Sequence, residues 1–166
     1  MYVEHPFSAV YDEYSEIFIL GSFPSVKSRE NSFFYGHSQN RFWKVIAAIF
    51  GDNEPKTIPD KKNLLLRNHI ALWDVIKSCE IKGSSDNSIT HVTPNDLSPI
   101  LNKAQIQKII VNGKTAEKYY KKHIEPQIHR TAIYLPSTSS ANASWSLERL
   151  VSVWGKFIRA NYLTKS

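Results

Sequence analysis

Ile17-Phe18-Ile19-Leu20-Gly21-Ser22-Phe23-Pro24-Ser25 decides the fold. Consecutive apolar side chains without polar alternation fit a strand buried on both faces, and Gly-Ser-Phe-Pro-Ser stops it at a tight loop. Three further runs behave likewise: Ile70 to Val75, Ile109 to Val111 ended by Asn112-Gly113, and Ala132 to Leu135 ended by Pro136-Ser137. Helical spacing fills the intervals. Arg41 to Phe50 puts Phe42, Val45, Ile46 and Ile49 on one side, and Lys61 to Arg67, Pro94 to Ala104 and Thr115 to His123 follow, with Pro94 suited to a first turn. Ser144 to Leu163 closes the chain with a wide apolar stripe of Trp145, Leu147, Leu150, Val151, Val153, Trp154, Phe157 and Ile158. Strands alternating with helices predict an α/β fold, a three-layer α/β/α sandwich around a small, mainly four-stranded parallel sheet. With no internal repeat and no long linker, residues 1–166 read as a single domain.

In such a sheet, ligands bind beyond the carboxyl ends of the strands, so the loops after the four runs should share one edge. That edge collects Gly21 to Ser25, Asp74, the Gly83-Ser84-Ser85-Asp86-Asn87 loop, Asn112-Gly113 and Pro136 to Ala143. It is rich in amides and hydroxyls, holds one or two carboxylates and has no obvious cationic catalyst. The chain carries 21 Lys plus Arg against 15 Asp plus Glu, a net charge of +6, which favours a polyanionic partner. Part of the excess, Lys114, Lys118, Lys121 and Lys122, reads as a solvated helix face. A single cysteine, Cys79, excludes an internal disulfide and a CxxC pair and fits a reducing compartment. The His residues show no HxH or HExxH spacing, so no metal and no cofactor is assigned. The apolar runs are too short for a membrane span, and an N-terminus bearing Glu4, Asp12 and Glu13 is unlike a signal peptide. The reading is a cytoplasmic protein, nucleoid-associated if prokaryotic, with no membrane partner and a monomeric state.

Two segments carry a resemblance. Gly21-Ser22-Phe23-Pro24-Ser25, then Tyr35-Gly36-His37-Ser38-Gln39-Asn40-Arg41-Phe42-Trp43, resembles the uracil-DNA glycosylase superfamily, its His37-x-x-Asn40-Arg-Phe-Trp being similar to the mismatch-specific uracil glycosylases. Pro136-Ser137-Thr138-Ser139-Ser140-Ala141-Asn142-Ala143 looks like the second motif of the superfamily. Gly-Ser-x-Pro paired with Pro-Ser-Thr-Ser, with Ala71-Leu72-Trp73-Asp74 and Asn112-Gly113 between, leans to the deoxyinosine (hypoxanthine-DNA) glycosylase branch. The resemblance implies an enzyme of base excision repair that flips a deaminated base from double-stranded DNA and hydrolyses its N-glycosidic bond. Departures accompany it. Phe23 stands where the mismatch-specific enzymes have Asn, and Leu135 precedes Pro136 where the uracil enzymes often have His.

With those catalysts missing, the resemblance moves catalysis to Asn40, with Asn112 as partner. An amide can accept a hydrogen bond from water while donating to a sugar or base oxygen. Asn40 is equally placed to cap the helix that starts at Arg41, and the two roles compete for one side-chain oxygen. Gly21, Ser22, Phe23, Pro24, Ser25, Tyr35, His37 and Asp74 are the candidate substrate-binding residues. Tyr35 sits where the mismatch-specific relatives stack an aromatic on the flipped base. Hypoxanthine needs a donor to O6 and an acceptor from N1–H, which the Ser22 and Phe23 amides and Asp74 or Asn112 can supply. His37 touches substrate or phosphate, or bonds loop backbone. Ser137, Thr138, Ser139, Ser140 and Asn142 are candidate DNA contacts, set against an ordinary Ser-rich turn. The alternatives are a non-catalytic binder of damaged DNA and a G:U/T mismatch-specific uracil glycosylase. A serine hydrolase falls behind, because neither Ser22 nor Ser137 lies in a GxSxG elbow.

Overall fold

The structure is a computed structural model that describes residues 1–163. In chain order the elements are β1 (Tyr2–Glu4), β2 (Ile17–Gly21), α1 (Val26–Asn31), α2 (Phe42–Ile49), α3 (Ile58–Arg67), β3 (Ile70–Asp74), β4 (Ile76–Glu80), β5 (Thr90–Pro94), α4 (Ser98–Lys103), β6 (Lys108–Asn112), α5 (Lys114–Tyr119), α6 (Glu125–Ile128), β7 (Ile133–Leu135) and α7 (Leu147–Leu163). The four apolar runs pair in parallel in the order β3-β2-β6-β7. Gly21 lies opposite Asp74, and Asn112 opposite Leu135, so the loops after all four strands leave from one edge.

The two-sided burial that makes these strands continuously apolar is visible residue by residue. Ile17, Ile19, Ile70, Leu72 and Ile110 face a core shared with Phe42, Ile46, Leu64, Leu65, Leu150 and Trp154 of α2, α3 and α7. Phe18, Leu20, Ala71, Ile109 and Val111 face a second core with Ile100 of α4 and Ala116 of α5. This alternation is the period of two that a strand imposes, and it leaves the sheet as the middle layer of an α/β/α sandwich. No helix among the described residues is long and apolar enough to cross a membrane.

Several elements depart from the sequence expectation, among them the short helix α1, which was not expected. A second, three-stranded antiparallel sheet, ordered β1-β4-β5, packs Ile76 and Cys79 against the second core. Pro94 does not start a helix. It ends β5, paired with Ile76, and the helix begins at Ser98 with Pro99 in its first turn. Buried Asn95 enforces the break, its side chain donating to Asp74 O at 2.8 Å and its backbone N–H to Val75 O at 2.8 Å. The helix expected through His123 ends at Tyr119, and the chain widens into a π-helical stretch, Tyr120–Ile124, that keeps both end residues buried.

Candidate active site

The loops leaving the sheet's carboxyl edge enclose a cavity of about 710 Å³ lined by Gly21 to Ser25, Tyr35, His37, Asn40, Asp74, Asn112 and Ser137 to Asn142. Every residue singled out from the sequence therefore reaches one site. Ser25 closes the first loop by capping α1, its Oγ accepting from Ser28 N at 3.1 Å. Val26 N donates to Ser84 Oγ at 2.9 Å and Arg29 to Gly83 O at 2.8 Å, tying that loop to the Gly83–Asn87 segment. Ser22 O accepts from Ile76 N at 3.1 Å, whereas the backbone N–H groups of Ser22 and Phe23 have no partner among the described residues.

Of the two roles set against each other, the structure shows only the structural one, and with a correction: the helix starts at Phe42 with Arg41 as its N-cap, and Asn40 supports it from one residue further out. Its Oδ1 accepts from Phe42 N at 2.9 Å, holding the first turn of α2, and from the Thr138 hydroxyl at 3.0 Å. Two donors saturate a carbonyl oxygen, so that oxygen is not available to accept a hydrogen bond from water, contrary to the expectation. What remains is the amide nitrogen, which has no partner among the described residues, in a residue that lines the cavity. Asn112 is more occupied still: Nδ2 donates to Tyr35 Oη at 3.1 Å and to Thr138 Oγ1 at 3.0 Å, and Oδ1 accepts from Thr138 N at 3.1 Å. With both N–H bonds spent inside the protein, it acts as a brace for Tyr35 and Thr138. Thr138, expected to grip phosphate, is fully buried and links the two asparagines.

Tyr35 sits at φ 52° and stacks on Phe42 at 4.2 Å, so one face of its ring is already covered. Burial, and then the charge of Asp74, pushes its hydroxyl well above the ordinary tyrosine range, which leaves a neutral phenol. Gly21 makes the convergence possible: a Cβ there would stand 2.4 Å from Asp74 Oδ1 and 2.7 Å from Tyr35 Oη. Asp74 is buried, not solvated, at 4% exposure. Exposed His37 bonds loop backbone, its Nδ1 accepting from Gln39 N at 3.1 Å.

Two residues escaped the sequence reading. Arg41 inserts its guanidinium among four carbonyls of the second-motif loop, reaching Ser139 O at 2.9 Å, Asn142 O at 3.2 Å, Thr138 O at 3.4 Å and also Trp145 O. It could have been suspected only as a cation beside Asn40. His5 bonds Asp74, Nε2 to Oδ2, at 2.7 Å across 69 residues of chain, a pairing with no local sequence signal. The loop itself turns inward more than expected: Ser137 Oγ accepts from Ser139 N and Ser139 Oγ from Ala141 N. Among the described residues no cluster of three or more His, Cys, Asp or Glu side chains is gathered for a metal ion.

The profile of the uracil DNA glycosylase superfamily matches residues 9–158. The chain belongs to that superfamily. As a DNA glycosylase it is similar to a hypoxanthine DNA glycosylase of Methanosarcina acetivorans, 35% identical over 153 residues that cover 89% of this chain and 93% of the relative. A hypoxanthine DNA glycosylase of Methanosarcina barkeri is 34% identical over 156 residues, covering 90% and 94%. A Methanosarcina acetivorans protein assigned to the uracil DNA glycosylases, with an NMR solution structure, superposes with a TM-score of 0.81 at 33% identity, over 96% of this chain and 98% of that one.

Proposed function

We propose that the protein is a monofunctional glycosylase of base excision repair that removes deaminated bases from double-stranded DNA, hypoxanthine first, and acts as a monomeric single domain. The observation that carries this reading is the polarity of the pocket lining: the Asp74 carboxyl, buried at the end of β3, together with the Ser22 and Phe23 N–H groups, which have no partner among the described residues. Hypoxanthine presents N1–H to a carboxyl oxygen and O6 to backbone N–H donors. Adenine presents a lone pair at N1 and an amino group at position 6, so the same lining repels it. Uracil and xanthine share the N–H next to a carbonyl and are further substrates.

In the reaction, water forms the new bond to C1′ as the bond from C1′ to the base nitrogen breaks, and the proton lost by water leaves with the base. Charge develops on a sugar resembling an oxocarbenium ion, so fixed dipoles matter more than a titrating base. Negative charge develops on the departing base as positive charge develops on the sugar, and Asn40 Nδ2 is the oriented donor to the base. The Ser137 to Asn142 loop lies against the phosphates beside the lesion.

The test is incubation with duplexes carrying deoxyinosine, deoxyuridine, deoxyxanthosine or deoxyadenosine, followed by alkaline cleavage of abasic sites. Strand breaks at deoxyinosine, fewer at the other deaminated bases and none at adenine are expected. Tight binding to deoxyinosine duplex with no release of base would leave a binder of damaged DNA, the reading favoured by the saturated Asn40 oxygen.

A further inference from the structure

We propose that His5, delivered from outside the four-stranded sheet, is a specificity-determining positioning residue that sets Asp74 to read the N–H edge of the flipped base. The inference rests on the pocket polarity above and extends it to a residue that touches no substrate.

His5 follows β1 and continues its pairing with β4, its backbone N–H donating to Lys77 O at 2.7 Å. Its side chain and that of Asp74 are 3% and 5% exposed. The imidazole is boxed by Phe7, edge-on at 4.6 Å, and by Phe23 and Phe34, each at 6.0 Å. The Phe7 backbone N–H points at Nδ1 at 3.5 Å, which makes Nδ1 the acceptor and leaves the proton on Nε2, aimed at Asp74 Oδ2 at 2.7 Å. The hydrogen bond uses one carboxyl oxygen and fixes the plane of the group. The other oxygen, Oδ1, then lies over Gly21, on the cavity side and beside Tyr35 Oη, with no hydrogen bond among the described residues.

A carboxyl has two torsions free to turn. Held by His5, it offers Oδ1 to the base as an acceptor in one orientation, the pre-organisation a selective pocket needs. Released, it can rotate away from the N–H of the base, and the selective bond is lost while the rest of the pocket stays intact. Docking of the N-terminal strand and base recognition are thereby one structural event.

The experiment compares the full-length wild type with His5→Leu, His5→Gln and His5→Asn in single-turnover excision from duplexes carrying deoxyinosine or deoxynebularine, whose purine base has neither N1–H nor O6. Gln places an amide nitrogen as many bonds from Cα as imidazole Nε2, whereas Asn stops one atom short. His5→Leu and His5→Asn are expected to lower the hypoxanthine rate, and with it the hypoxanthine-to-purine ratio, by about tenfold, the loss of one useful hydrogen bond. His5→Gln is expected to restore the ratio. A merely structural histidine would change the unfolding midpoint and the active fraction and leave the ratio alone, and that result overturns the proposal. So does a Gln variant that folds and behaves as Asn does. Should His5→Leu fail to fold, the contrast between Gln and Asn decides. A wild type that spares hypoxanthine but releases uracil or xanthine overturns the hypoxanthine preference alone, and the His5 comparison is then read on the base released. Release of none of the three overturns both.

Discussion

Asn40 shows why single residues have to be counted bond by bond. From sequence, the residue was legible as important and ambiguous: a capping residue and a water-holding amide look alike when the only clue is an Asn before a helix. The hydrogen bonds from Phe42 N and Thr138 Oγ1 spend the oxygen and leave the nitrogen, so the contribution to chemistry that we propose for it is that of a donor. Asn40→Asp separates the two halves, because it keeps an oxygen for both bonds and removes the N–H group. We expect it to lose about 10²-fold or more in single-turnover excision, the usual loss for one donor to a developing charge, with little change in unfolding midpoint; an undiminished rate would show that the donor is dispensable. Asn40→Ala should lose chemistry similarly and also about 1–3 kcal/mol of stability, because Phe42 N and Thr138 Oγ1 lose their acceptor. Gly21→Ala tests the opposite feature. A Cβ 2.4 Å from Asp74 Oδ1 cannot be absorbed cheaply, because His5 holds Asp74 from behind and Asn112 holds Tyr35. Excision should fall well beyond the loss in stability, as thermal unfolding and single-turnover rates measured together will show.

At the scale of elements, the second-motif loop is held by the helix it faces. Arg41 stands at the start of α2, and its planar fork reaches carbonyls of Thr138, Ser139, Asn142 and Trp145, a span that a lysine's single ammonium cannot cover. Arg41→Lys should therefore cost about 1.5–3 kcal/mol, as expected for charge-assisted bonds. It should also speed hydrogen exchange of the loop amides at Asn142 and Trp145, which bond Ser139 O and Asn142 O, while the core strands keep their protection. Equal acceleration throughout the molecule would mean that Arg41 stabilises the whole fold and not this loop. The strands β2, β3, β6 and β7 were readable because burial on both faces makes each one apolar without alternation. The antiparallel strands were not. Ile76–Glu80 mixes Lys77 and Glu80 with buried Ile76 and Cys79, and Thr90–Pro94 ends in a proline, which from sequence suits a helix start as well as a strand end. Only the long-range pairing of β4 with β5 decides between them.

For the whole molecule the question is how a modest positive charge grips a duplex. The net charge of +6 is not concentrated at the cavity, whose lining includes one lysine, Lys114. Lys118 borders the smaller cleft that shares Asp86, Asn87, Lys114 and Thr115 with the main cavity, whereas Lys121 pairs with Glu117 at 3.7 Å. All four lysines of the cluster read from sequence as a solvated face are exposed, but periodicity did not say which of them look towards the pocket. Lys114 and Lys118 are the members placed to meet phosphates next to a base in the cavity. Each phosphate neutralised on B-DNA releases counterions and steepens the fall of log K with log salt by about 0.9. Lys114→Ala with Lys118→Ala should flatten that slope by about 2 and weaken damaged and undamaged duplex alike, since phosphate contacts position the protein without reading sequence. Fluorescence anisotropy across a salt series measures both quantities. A double variant that keeps the wild-type slope would move phosphate binding to the Ser137 to Asn142 loop, where uncharged hydroxyls and amides release no counterions, and the slope would then report the remaining lysines of the chain.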